Sequence, residues 1–104
     1  MTHLSGKRVA FLATDGFEDS ELMDPWEAVI GAGAEATMVA PQLDTITGKN
    51  GHVHDVDVRA AEAASERFDA LVLPGGVVNA DAIRLDRASI DFARGFFDEG
   101  KPVG

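Results

Sequence analysis

Between Ala70 and Gly76 an apolar run, Ala70-Leu71-Val72-Leu73, meets Pro74-Gly75-Gly76, and a helix-compatible segment opens near Asn79. Proline has no N–H to give to a strand ladder, so the strand ends there, and two glycines let the chain turn at a positive φ. Such a junction leaves backbone N–H groups bare beside a helix N-terminus, where they suit a negative charge forming on a reacting oxygen. A buried strand, a glycine turn and a helix in that order belong to an α/β sheet with its chemistry at the strand tips.

The rest of the chain repeats this grammar. Val9-Ala10-Phe11-Leu12-Ala13, closed by Thr14-Asp15-Gly16, reads as a strand covered on both faces. Asp19 or Ser20 offers a helix cap, and Asp24-Pro25 offers a second start, so a helix interrupted near Pro25 and ended by Gly31 and Gly33 is expected. Ala36 to Ala40 reads as a second strand, parallel to the first because a helix separates them. Thr45-Ile46-Thr47, the turn Gly48-Lys49-Asn50-Gly51, and His52 to Val58 form a hairpin or edge excursion, with Val53, Val56 and Val58 as its apolar positions. Ala60 to Arg67 is short helix, and Ala70 to Leu73 is the third strand. Asn79 then caps a helix through Arg84. Asp86 caps another, on which Ile90, Ala93, Phe96 and Phe97 share a face before Gly100. Lys101 to Gly104 opens a fourth strand. The pattern predicts an α/β, doubly wound sheet whose functional edge is the loops Thr14 to Asp19 and Gly75 to Asp81.

The 104 residues suffice for one small core. A net charge of −9 repels phosphate backbones and anionic lipid, which argues against nucleic acid and membrane partners. No segment approaches the roughly 18 consecutive apolar residues of a spanning helix. The segment from Met1 to Arg8 lacks the parts of a secretory signal, so a cytoplasmic location is expected. With no cysteine in the sequence there is neither a disulfide nor a thiolate metal site, nor a cysteine nucleophile among these residues.

Several familiar constellations fail on spacing. Gly75-Gly76 lacks the G-x-G-x-x-G of a dinucleotide site, and Asp15 lacks the D-x-D-G-T of a phosphatase, which would need other residues at Ala13 and Phe17. His52 and His54 project to one side of a strand and Asp55 and Asp57 to the other, which splits any ligand set, so an exposed edge strand explains them better than a metal site. Glu18, Asp19 and Glu21 follow the first strand. The first two read as helix-start acids, whereas Glu21, followed by Leu22-Met23, is placed to turn inward as a proton carrier.

Taken together, Phe17-Glu18-Asp19-Ser20-Glu21-Leu22, Pro25, Thr45-Ile46-Thr47-Gly48-Lys49, Phe68 to Gly76 and Gly100-Lys101-Pro102-Val103 resemble the PfpI family of intracellular proteases. That family stands with the Parkinson-associated deglycases in the class I glutamine amidotransferase-like superfamily. The resemblance runs in order along essentially the whole chain, each motif weak alone and specific in combination. It implies a flavodoxin-like, doubly wound, mostly parallel sheet sandwiched by helices, with residues 1–104 as the N-terminal portion of a single domain.

It further implies a cysteine nucleophile and an adjacent histidine on a sharp elbow just beyond Gly104. Glu21 resembles the family's acid beneath that sulfur, where a protonated carboxyl donates to the thiolate and lowers the thiol pKa. Gly75 and Gly76 match the turn that supplies backbone N–H groups to the oxyanion. Asp81 matches an acid that orients the histidine, often across a subunit interface. The implied activity is a cysteine hydrolase, peptidase or deglycase, acting in stress protection on a peptide, a glycated amine or a small carbonyl compound. The resemblance implies no cofactor and no metal, and it implies a homodimer or higher homo-oligomer. The competing expectation is a redox-sensing stress protein or chaperone whose cysteine is oxidised without turnover.

Overall fold

A computed structural model describes residues 4–104 of the chain. The reading of the N-terminal segment as lacking a secretory signal rests partly on residues 1–3, outside the described residues. The first strand, β1 (Arg8–Leu12), is followed by helix α1 (Asp19–Gly31) and strand β2 (Glu35–Ala40). Then come β3 (Thr45–Thr47), β4 (Val53–Asp55) and β5 (Val58–Arg59). Two 3₁₀ turns, Ala60–Glu62 and Ser65–Arg67, lead into β6 (Ala70–Val72), and helices α2 (Val77–Leu85) and α3 (Arg87–Asp98) complete the order.

The main sheet is parallel, in the order β5-β2-β1-β6, and Val103 bridges in parallel to Leu71 on the far side of β6. The expected fourth strand therefore begins beside β6. The hairpin is also present, β3 and β4 pairing antiparallel with Ile46 opposite His54, but it ends at Asp55, and Val58 instead pairs in parallel with Val39 at the edge of the main sheet.

Side chains alternate across a strand, and in β1 both directions lead into a core. Val9 and Phe11 join Phe17, Leu22, Met38 and Ile46 on one face, under α1. Ala10 and Leu12 join Val39, Leu71, Phe92 and Phe96 on the other, under α3. The result is a three-layer α/β sandwich in which β1 is shared by both cores.

Three expectations are corrected. Helix α1 runs unbroken through Pro25. Proline there forfeits its bond to the Glu21 carbonyl, but Leu22 before it is fully buried and Trp26 after it packs 4.9 Å from Phe11, ring centroid to centroid, so packing on both sides carries the helix across. Asn79 does not cap α2: the helix starts at Val77 with Gly76 as its N-cap. The buried face of α3 is Ser89, Phe92 and Phe96, with Ile90 and Ala93 flanking it and Phe97 63% exposed. Gly95 explains the rotation, because any Cβ there would meet the side chain of Ser65, and this close approach turns the helix toward the Ser65 side.

Asp86 caps α3 as expected, its Oδ2 accepting from the Ser89 N–H at 3.0 Å and the Ser89 hydroxyl at 2.6 Å. Replacing Asp86 with alanine should lower stability by about 1 kcal/mol, read as a shift in urea midpoint at constant slope.

Candidate active site

From β1 the chain passes to β2 on one side and later to β6 on the other, so the sheet changes direction between β1 and β6. A crevice at such a switch point, outside the carboxyl ends of the strands, is where parallel sheets hold ligands. Here the two loops that leave β1 and β6 meet. Glu18 N–H donates to the Gly75 carbonyl at 2.8 Å, and Thr14 N–H donates to Asn79 Oδ1 at 2.7 Å.

Glu21 sits in the first turn of α1, and the helix carries its carboxylate onto the glycine turn. Gly75 N–H donates to Glu21 Oε1 at 2.8 Å across 54 residues of sequence. Glu21 is an exposed residue, and its Oε2 makes no hydrogen bond among the described residues. A side chain at position 75 would strike Glu21 Oε1, so glycine is what permits the contact. Gly76 has φ +114°, and a Cβ there would collide with the Gly16 carbonyl oxygen. The two glycines thus divide their work. Gly75 spends its N–H on Glu21, while the Gly76 N–H makes no hydrogen bond among the described residues.

Asn79 has a larger part than sequence reasoning assigned to it. It is 3% exposed, and its Nδ2 donates to the Pro74 carbonyl at 2.8 Å, with a longer contact of 3.4 Å to the Gly75 carbonyl. Its amide therefore ties the glycine turn to the β1 loop. The one signal in the sequence was an amide side chain placed soon after a glycine turn, which local rules read as a cap.

The three acids after β1 have separate tasks. Glu18 pairs with Lys49 at 2.6 Å. Asp19, 8% exposed, accepts from Asn50 N–H and His52 N–H, both at 2.9 Å, and so pins the hairpin turn to the start of α1. The Asn50 N–H bond holds the Asp19 carboxyl below its ordinary value near 3.8, with the His52 N–H acting the same way and burial opposing both. The folded state thus favours ionised Asp19. Its contribution to stability is complete above the unfolded value and is lost as pH falls through the lowered folded one. Asp19→Asn should therefore destabilise at neutral pH, and the gap in urea midpoint between variant and wild type should close as the pH falls below 3.8.

Asp81 lies apart from this group. It is the fifth residue of α2, one turn deeper than the second position expected when Asn79 was read as the cap, and it is exposed and ion-paired with Arg84. It makes no hydrogen bond to Glu21 or to the glycine turn among the described residues.

His52 and His54 do share one side of the hairpin, with ring centroids 5.7 Å apart. The edge strand is as expected, β4 having a partner on one side only, but both histidines are half-buried: His54 lies edge-on to Trp26 at 4.4 Å, and His52 to Phe17 at 6.3 Å. Burial lowers the His54 imidazole pKa, the neighbouring His52 acts in the same direction, and Asp57 and Asp55 oppose it. Among the described residues no group of three or more His, Asp or Glu side chains is arranged to hold a metal. No helix is long and apolar enough to cross a membrane, again among the described residues.

The sequence matches the DJ-1/PfpI family over residues 7–104. The chain belongs to the DJ-1/PfpI family. It is 40% identical over 96 residues to a deglycase of Pyrococcus abyssi, an alignment covering 92% of this chain and 57% of the relative. It is 39% identical over 99 residues to protein/nucleic acid deglycase 2 of Escherichia coli K12, covering 93% of this chain and 57% of that protein. The chain thus spans little more than half the length of these curated relatives. Among solved structures, a two-domain protein of Anabaena variabilis with DJ-1/ThiJ/PfpI-like and ferritin-like domains superposes with a TM-score of 0.89 at 30% identity, over 93% of this chain and 28% of that one. In this DJ-1/PfpI chain the crevice between β1 and β6 brings together Glu21, Gly75 and Gly76 of the expected site residues, and leaves Asp81 outside.

Proposed function

We propose that residues 1–104 are the N-terminal portion of a single α/β domain that acts as a cysteine-dependent hydrolase of deglycase or peptidase type. The observation that carries this reading is the Glu21 carboxylate held 2.8 Å from the Gly75 N–H at the switch point, beside an unbonded Gly76 N–H. An acid with one oxygen engaged and the other free suits a neighbouring sulfur, and a free backbone donor suits an oxyanion. The deglycase names of the Pyrococcus and Escherichia relatives support a carbonyl-directed activity.

In this reading a cysteine thiolate, carried beyond Gly104, adds to a carbonyl carbon and drives the C=O electron pair onto oxygen. Glu21 supports the sulfur, the glycine turn receives the oxyanion, and an adjacent histidine moves the proton. Asp81, facing solvent, orients that histidine in a neighbouring subunit of a homo-oligomer. The substrate class is a small α-oxoaldehyde, a glycated amine or a peptide, and the charge of −9 disfavours nucleic acid itself. The protein acts in the cytoplasm as part of stress protection and needs no cofactor.

The test is steady-state turnover of methylglyoxal, of a glycated peptide and of an unmodified peptide by the full-length protein, with intact-mass measurement of the native product. Turnover lost on replacing the cysteine supports the reading. A native mass equal to the 11.0 kDa of these residues would overturn it. So would rapid peroxide oxidation of the cysteine without turnover of any substrate, the mark of a redox sensor.

A further inference from the structure

The carboxamide of Asn79 touches two consecutive peptide groups of the glycine turn. Its Nδ2 bonds the Pro74 carbonyl at 2.8 Å and contacts the Gly75 carbonyl at 3.4 Å, the latter oxygen also accepting from Glu18 N–H at 2.8 Å. The chain has no cis peptide bonds among the described residues, and in a trans peptide C=O and N–H point in opposite directions. Anchoring the Pro74 carbonyl therefore sends the Gly75 N–H the other way, where it meets Glu21 Oε1. The Gly75 carbonyl, held by Glu18 N–H at 2.8 Å and touched by Asn79 Nδ2 at 3.4 Å, likewise sends the Gly76 N–H away from the Asn79 amide. Two successive N–H groups facing one way make an anion-receptive concavity, and here one of them is already taken.

The anchor itself is rigid. Asn79 is 3% exposed, its Oδ1 accepts from Thr14 N–H at 2.7 Å, and its backbone is fixed in the first turn of α2. Donor and acceptor ends of one amide are both used, so the group has a single orientation. Only a carboxamide offers this pair at this length: aspartate would keep the acceptor and turn a second oxygen onto two carbonyls.

We infer that Asn79 is a positioning residue that aims the Gly76 N–H at the reacting oxygen by holding the Pro74 and Gly75 carbonyls from behind. The inference rests on the hydrolase reading for its kinetic consequence, but the geometry it assigns can be tested without turnover. Both ends of the Asn79 amide are spent on backbone groups of the two loops. Its effect passes through the orientation of the glycine peptides.

The experiment compares wild type with Asn79→Asp in the full-length protein, by kinetics and by ¹H–¹⁵N spectra of Gly75 and Gly76. At neutral pH the variant should lose about ten- to a hundredfold in kcat, with KM changed less than about twofold, because a mis-aimed donor weakens stabilisation of the transition state and not of the ground state. The Gly76 amide resonance should move. As the pH is lowered, the introduced carboxyl group takes up a proton and regains a donor, so the variant-to-wild-type ratio of kcat should climb and the Gly76 resonance should return toward its wild-type position. A residue that merely stabilised the fold would give neither the kcat-to-KM split nor the pH-dependent recovery.

Unchanged kcat in the variant, or reduced kcat with an unmoved Gly76 resonance, overturns the inference. If wild type turns over no substrate, the hydrolase reading fails, and the Gly76 resonance alone decides the positioning role. Should Asn79→Asp not fold, Asn79→Ser removes the carboxamide without adding charge, and the same shift in Gly76 and split between kcat and KM are required of it.

Discussion

Replacing Gly76 with alanine is expected to destabilise the protein by about 3 kcal/mol or more. Two costs coincide there. The backbone stands at φ +114°, a conformation that side chains rarely adopt, and a Cβ would run into the Gly16 carbonyl oxygen. Neither can be relieved alone, because Glu18 N–H holds the Gly75 carbonyl on one side and Ala80 N–H holds the Gly76 carbonyl on the other. Gly51→Ala is the control: Gly51 sits at φ +99° with open space around its would-be Cβ. That variant should lose only the conformational part, about 1 kcal/mol. Urea midpoints of the two variants separate strain from collision, and equal losses would show that the close approach to Gly16 costs nothing.

The second large effect falls on activity. Glu21→Gln should reduce kcat/KM by about a hundredfold to a thousandfold in the turnover assay while leaving the thermal midpoint nearly unchanged. A glutamine oxygen still accepts from the Gly75 N–H, so the turn keeps its tether, but the amide neither carries the charge nor exchanges the proton of a carboxyl group. Glu21→Ala should match the loss in activity and add a loss in stability, because the Gly75 N–H then has no protein acceptor. Activity retained in Glu21→Gln would remove the carboxyl group from the chemistry and leave it as a tether.

The contrast between these two sites shows what the amino-acid order makes legible. The glycine pair could be read as a turn because proline and glycine constrain the backbone directly, whatever surrounds them. The strands could be read because β1 and β6 are apolar at every position but Arg8, and β2 is apolar from Met38 to Ala40, as a sheet covered on both faces requires. Asp86 could be read as a cap because its partner, Ser89, lies three residues away.

What could not be read is contact at a distance. Asn79 has the same local signature as a cap, yet its acceptor is used by Thr14, 65 residues earlier. Asp19 looked like a dipole acid, and its partners lie 31 and 33 residues later. In each case a short polar side chain had a local use and a tertiary one of similar strength, and burial decided between them: Asp19 and Asn79 are themselves buried, where a polar side chain must find a protein partner. Pro25 misled for the same reason: a local rule against proline in a helix was outweighed by Leu22 and Trp26 packing on either side of it.

The shared wall formed by β1 carries a consequence for how this protein tolerates change. Since Val9 and Phe11 serve one interior and Ala10 and Leu12 the other, deleting one residue from that strand would send aromatic bulk where alanine belongs and leave a void on the opposite side. Both halves of the sandwich would fail together, because β2 and β6 grip the strand from its two edges and hold the slipped register in place. The two faces are therefore coupled through register: each can change volume by substitution, but neither tolerates an insertion or deletion in this strand.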